Sequence, residues 1–322
     1  MPFGWILFTV VNKQVVRRRE IFYKMHKYMR AIGFSNLNRH AQNELIENVI
    51  EHPQQKRIAK NAEGEAFVEL SREFAENMGI TVRGILDENG AFLFEHYYPY
   101  LIGQEITAEE SIEIEKYSDK EAYAGICDDM HLGVTLVFYM QNVAEYLELL
   151  SKRNQDAAVK NLENIYEKGA VLAALSMEGK ILLPIADHAK VRKTAYNFNE
   201  KTKQASDRNQ DMEDVMDRIE NMEMDTYEMI SRRIDQKEDI FSIVSSTFMP
   251  DGIETDQYSI LGEILEYKFI SNTYSKETIC RMKIYCNGLT FDICINEDDL
   301  LGVPEEGRRF KGKIWMQGVV CL

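Results

Sequence analysis

Four short stretches of this sequence carry side chains whose types and spacing could do chemistry. In Cys127-Asp128-Asp129-Met130-His131 a thiol and an imidazole flank an Asp-rich turn signal, and a hairpin there would bring the two together. An imidazolium beside a thiol favours the nucleophilic thiolate, so Cys127 and His131 are the pair for a cysteine-dependent enzyme. The competing reading is structural. Turns select Asp for bonds to their own backbone, which leaves a buried Cys on one side and a half-exposed His on the other.

The second stretch is Glu95-His96-Tyr97-Tyr98-Pro99-Tyr100. Three tyrosines around an imidazole can line an aromatic pocket with polar tips, which makes His96 and Tyr98 candidates for ligand contact. The same run also reads as a strand end whose rings seal a sheet against a helix. In the third, Asp187-His188, neighbours on a strand point to opposite faces, so the pair makes a poor dyad unless the chain bends there.

The fourth is Arg308-Arg309-Phe310-Lys311-Gly312-Lys313-Ile314-Trp315. Strand parity puts Arg309, Lys311, Lys313 and Trp315 on one face, and cations with a stackable ring are what single-strand nucleic-acid proteins use. Against this, residues 256–306 contribute ten acids and only four bases. Outward Lys and Arg on a strand also serve to block edge-to-edge aggregation.

No GxGxxG, P-loop, HExxH, GxSxG or EF-hand pattern occurs, so the motifs imply no catalytic set, no cofactor and no metal. The five cysteines form no CxxC pair and read as free, mostly buried thiols. A net charge of −15 disfavours general affinity for duplex nucleic acid or anionic lipid. Phe3 to Val11 is apolar but too short to span a bilayer, and its basic residues follow the apolar run, where a secretory signal has them first. Residues 1–24 carry five basic groups and one acid, so they read as an upstream extension, with a basic membrane anchor as the alternative. With 45% apolar and 28% charged residues, the expectation is a cytoplasmic protein without a membrane partner.

The elements that must position these groups follow from periodicity. His26 to Ile32 reads as a short helix stopped by Gly33, and Asn38 to Glu51 as a second with Ala41, Leu45, Ile46, Val49 and Ile50 on one face. Short β-branched and aromatic runs then follow at 67–70, 80–86, 91–97, 112–116, 123–127 and 134–140, and their tight turns predict an antiparallel meander covered by the two helices. Val143 to Leu150 resumes helical spacing. Val171 to Ile185 reads as a hairpin turning at Glu178-Gly179, residues 192–209 as a linker, and Asp211 to Asp239 as a long acidic helix. Strands at 258–269, 279–286, 289–295 and 310–320, with an Asn287-Gly288 type I′ turn and a helical turn capped by Asn296, suggest a small closed barrel, possible in oligonucleotide-binding (OB) topology.

Three segments, Met25 to Leu37 (MHKYMRAIGFSNL), His131 to Leu147 (HLGVTLVFYMQNVAEYL) and Gly307 to Gly318 (GRRFKGKIWMQG), resemble a family of uncharacterised proteins from low-GC Gram-positive gut bacteria, a domain of unknown function. The resemblance runs from Met25 to the end. It implies a soluble intracellular protein and carries over no catalytic residue.

The sequence therefore predicts an α+β protein: helices on a mainly antiparallel sheet, a long acidic helix, and a small C-terminal β-barrel. Its parts are an extension (1–24), an α+β domain (25–190), a linker with the acidic helix (191–250) and the barrel (251–322). The leading functional expectation is a non-enzymatic interaction or regulatory protein that recognises a protein partner or a small ligand. Single-strand nucleic-acid binding through the barrel and Cys127–His131 catalysis are the alternatives.

Overall fold

The computed structural model describes residues 8–11, 14–17, 25–116, 122–129, 134–155, 167–184, 244–252 and 254–322. The acidic helix expected at 211–239, the linker at 192–209, Asp187-His188 and His131 all lie outside the described residues. Strands β1 (Phe8–Val11) and β2 (Gln14–Arg17) pair antiparallel.

After Gly33 and the 3-10 helix Lys27–Ile32, helix α1 runs from Arg39 to Glu51. Asn38 caps it, its side chain accepting from the Ala41 amide and so satisfying one of the free donors of the first turn. Gly33 ends the 3-10 helix at φ 86°, a conformation open to a residue without Cβ. Strands β3 (Gln55–Lys60), β4 (Ala66–Ala75), β5 (Met78–Leu86) and β6 (Phe92–Leu101) form a four-stranded antiparallel meander. One face of it, with Val68, Leu70, Ile80 and Val82, packs on Leu45, Ile46, Val49 and Ile50 of α1.

A second, larger sheet contains β7 (Ala108–Lys116), β8 (Tyr123–Asp129), β9 (Val134–Met140), β10 (Glu167–Leu182), β11 (Thr247–Pro250), β12 (Gln257–Ser271), β13 (Thr278–Cys286), β14 (Leu289–Asn296), β15 (Leu300–Leu301) and β16 (Arg309–Val320). The pairings β12–β13–β14–β10–β16 return to β12 and close a five-stranded barrel. The long strands β10 and β16 also belong to a second closed circuit, β7–β8–β9–β16–β10. Phe138, Leu136, Met316, Leu172, Phe310 and Ile293 share one apolar core inside these rings. Helix α2 (Val143–Gln155) follows β9 and contributes Val143, Ala144 and Leu147 to the same core.

The fold is mostly β, which overturns the expected α+β arrangement of helices on a sheet. Among the described residues only α1 and α2 are α-helices, and the layer opposite the four-stranded sheet is the outer wall of the barrel, with Ala173, Leu175, Cys294 and Trp315. The expected single meander is split in two because residues 102–107 cross to the barrel. There the Gln104 amide donates to Asp292, the Thr107 amide donates to Ala170, and Lys283 pairs with Glu105. The hairpin expected at Glu178-Gly179 is instead one continuous strand, β10, with a bulge between Ser176 and Glu178. Gly179 marks a close approach: a Cβ there would stand 2.3 Å from the Phe310 ring. The barrel therefore draws one of its staves from far upstream of residue 251.

Candidate functional site

The face of the four-stranded sheet that looks toward the barrel is polar. Period-two alternation and register align it in two rows. Arg57, Glu69, Arg83 and His96 are successive cross-strand neighbours on β3, β4, β5 and β6, and Gln55, Ser71, Thr81 and Tyr98 form the next row. A register shift between Arg83 and Gly84 opposite β6 aligns His96 with Arg83. The odd-numbered residues of β4 and β5 thus face one way, while Val68, Leu70, Ile80 and Val82 face α1.

Arg83 is fully buried (0% exposed), which is costly for a guanidinium unless every donor is used. Its Nε donates to Glu69 Oε1 at 2.8 Å, and Nη2 lies 2.7 Å from the same carboxylate. Nη1 donates to the Tyr139 hydroxyl at 2.8 Å. Nη2 also donates to the Tyr98 hydroxyl and to the carbonyls of Met140 and Gln141. The guanidinium lies 4.7 Å from the centroid of the Tyr98 ring and 5.3 Å from that of Tyr139, within cation–π range. Glu69 accepts at Oε2 from the Ala144 amide at the start of α2, tying the sheet to the helix. Burial pushes the Glu69 carboxyl above its usual range, against the pull of Arg83. Burial opposes the Arg83 charge, and Tyr139, Tyr98 and Glu69 more than offset it. Burial pushes Tyr98 up to about 12, and it also raises Tyr100.

Against these rows lies a cavity of about 230 Å³. Gln55, Arg57, Glu69, Ser71, Thr81, Tyr98 and Tyr100 form the sheet wall, and Gln141, Asn142, Glu145 and Val319 form the opposite one. Ser71 and Thr81 hydroxyls lie 2.8 Å apart. Gln141 Nε2 donates to Leu101 and Gln317, and Asn142 exchanges two bonds with the Val320 backbone, so the far wall is rigidly held. Arg57 Nη1 reaches Glu145 at 3.0 Å, joining β3 to α2 through an exposed pair.

The residues singled out in the sequence are scattered. Tyr98 lines the cavity, and His96 Nε2 lies 3.2 Å from the Tyr139 hydroxyl behind it. Cys127 is buried (1% exposed) in the barrel core, facing Leu136 across the β8–β9 pair. Trp315 is 5% exposed: Tyr28 stacks on it at 5.2 Å, His26 and Tyr139 pack around it, and its indole N–H donates to Asp256 at 2.7 Å. Arg309 is buried and donates to the carbonyls of Leu183 and Val244. Lys313 is exposed and pairs with Asp251, and Lys311 is partly buried between them. The face that parity groups together is therefore not one open surface. All five cysteines are free and four are buried, with the thiols of Cys280 and Cys286 pushed up to about 12 by burial.

Glu69, Arg83, Ser71 and Thr81 carried the missed signal. On each of the two neighbouring strands β4 and β5 the two polar residues sit two positions apart, yet such spacing in an antiparallel meander ordinarily marks a solvated face. Among the described residues no three or more His, Cys, Asp or Glu side chains are grouped to hold a metal ion, and no helix is long and apolar enough to cross a membrane. A family model described as "Domain of unknown function, E. rectale Gene description (DUF3881)" matches residues 29–318. No curated protein and no solved structure matches the chain.

Proposed function

The chain belongs to this family of unknown function, so its role has to be read from its own cavity, and we propose that it is a non-enzymatic binding protein for a small, uncharged molecule rich in hydroxyl or amide groups. One observation carries this reading: the charges at the cavity are already paired within the protein. Glu69 is matched by Arg83 in the wall, and Arg57 by Glu145 across the cavity. The other residues that line it carry no charge: Gln55, Ser71, Thr81, Tyr98, Tyr100, Gln141 and Asn142, with the apolar Ile102 and Val319.

Size supports the same class of ligand. At about 230 Å³ the cavity falls below the ~300–1,000 Å³ of drug-sized pockets, which suits a monosaccharide, polyol or small amide. The wall is also pre-organised, since the Arg83 network and the Gln141 and Asn142 bonds fix it before any ligand arrives, and that lowers the ordering cost of binding. A cavity with its charges paired, held between a rigid sheet and the fixed β9–α2 junction, supports recognition more than bond-breaking.

Saturation-transfer NMR and thermal shift with a panel of hexoses, polyols, amides, carboxylates, phosphates and amines test this. An uncharged member should bind the wild type and lose binding in Ser71→Phe, which fills the cavity, while Lys276→Ala on a distant turn should bind normally. Binding confined to charged members, or no binding across the panel, overturns the proposal.

A further inference from the structure

Strand β12 is paired on both sides only over part of its length. Residues Gln257 to Glu263 lie beside β16, and Ile264 closes that side through bonds with Gly307 and Arg308. Beyond it, Glu266 to Ser271 pair with β13 alone, and no strand among the described residues covers the other edge. On this free segment Tyr267 is 39% and Phe269 45% exposed, in edge-to-face contact at 6.1 Å. Register pairs them with Met282 and Cys280, whose side chains point into the barrel. The two rings therefore continue the inner face of the barrel past the point where it closes. An open edge with half-exposed aromatics invites another strand.

We propose that this edge pairs with the same edge of a second copy of the chain, antiparallel about a two-fold axis through Tyr267. Symmetry restricts the choice of register. The axis of such a pair is perpendicular to the sheet, so each residue must face one of the same parity. Centring on Lys268 sets two lysines directly opposite one another, and centring on Phe269 sets Lys268 against Ile270. Centring on Tyr267 sets Glu266 against Lys268 of the second copy, twice over, and brings the two Tyr267 rings side by side. Opposite charges facing across strands favour a pair, and like charges disfavour it. Lys268 now reaches Glu76 at 2.7 Å and Glu266 stands 4.0 Å from Lys283 of its own chain, and the Lys268 and Glu266 side chains are both solvent-exposed, so these contacts yield to the new partners. In this register only Glu266, Tyr267 and Lys268 of the free segment face one another, since Ile264 is already bonded to Gly307 and Arg308, so the interface is small and the association accordingly weak.

Analytical ultracentrifugation of the full chain from low to several hundred micromolar tests this. The wild type should show a reversible monomer–dimer equilibrium. Glu266→Lys and Lys268→Glu each set like charges opposite one another and should weaken the dimer at least about tenfold. The double exchange Glu266→Lys with Lys268→Glu restores the pairing and should recover the wild-type constant. Glu76→Gln, which frees Lys268 from its own chain, should leave the dimer intact or tighten it. A wild type that stays monomeric throughout, single variants that associate normally, or a double exchange that fails to recover would each overturn the proposal.

Discussion

Strand β16 and the polar face of β4–β6 both gather charged and aromatic side chains, and the structure treats them in opposite ways. On β16 the indole of Trp315 is covered by Tyr28 and His26 and bonded to Asp256, and Arg309 spends its donors on the carbonyls of Leu183 and Val244. On the sheet, Arg83 is more deeply buried, yet its own row and the next border a cavity through Glu69, Thr81 and Tyr98. A local run of basic and aromatic residues thus proves to be a seam between layers. A set of residues dispersed over thirty positions proves to be a wall. Local clustering in sequence reports composition, whereas a site requires register.

The sharpest way to break this contrast is to remove Arg83. Arg83→Met leaves the Glu69 carboxyl buried without its partner, and removing one member of a buried pair costs roughly 3–5 kcal/mol. Urea unfolding should show this loss, and Glu69→Leu combined with Arg83→Met should recover much of it, since a buried pair is often replaceable by apolar groups. An Arg83→Met variant as stable as wild type would mean that the network does not hold the wall. On the other region, Trp315→Ala should cost a comparable ~3–5 kcal/mol through the cavity it leaves under Tyr28, seen in the same unfolding experiment. Short single-stranded oligonucleotides should show no Trp315-dependent binding by fluorescence anisotropy, because the ring has no open face.

Much of the secondary structure was legible in the sequence. Asn38 as a cap and the apolar stripe of α1, the Asn287-Gly288 turn with both residues at positive φ, and the Asn296 cap of the next helical turn all follow from short-range chemistry, and the structure has each of them. What was not legible depends on partners distant in sequence. Nothing near Glu178 announces that β10 continues straight through a bulge, because its pairing is set by Phe310 and Gly312 more than a hundred residues away. Nothing near Arg83 announces burial either. Tyr98 stands out in the sequence for its aromatic neighbours, but Glu69, Ser71, Thr81 and Arg83 acquire meaning only once three strands are in register and the barrel wall lies opposite.

The seam around Trp315 also makes a pH prediction that the cavity wall does not share. Burial, with a smaller effect from Lys27 and an opposing one from Glu254, lowers His26 to about 4 from its ordinary 6.5. The folded state thus binds fewer protons than the unfolded one between these values, and stability rises with pH across that window. The contribution is complete above about pH 6.5, declines as pH falls toward 4, and by 2.5 pH units at 1.36 kcal/mol each reaches roughly 3 kcal/mol. Glu69 and Asp256, whose carboxyls are raised mainly by burial, work in the opposite sense, because protonating them relieves a buried charge. Comparison with His26→Asn, whose side-chain oxygen can still accept from the Tyr28 amide, isolates the imidazole. The wild type should lose more stability than the variant between pH 6.5 and 4, and equal slopes would remove His26 from the seam's energetics.

The smallest expected effect sharpens the comparison most on the side of the cavity. Arg57 and Glu145 are about half exposed, so Arg57→Gln should change stability by less than about 1 kcal/mol. If the charges beside the cavity cancel in pairs, an uncharged ligand experiences little net field there, and its affinity should vary little between low and high salt. Arg57→Gln unbalances that cancellation by leaving Glu145 without its cation. An uncharged ligand should respond to this only weakly, whereas a charged one would gain or lose affinity according to its sign, with a response that fades as salt is added. Isothermal titration of both proteins at two ionic strengths separates the cases, and a strong, salt-dependent change in Arg57→Gln would show that the cavity recognises charge after all.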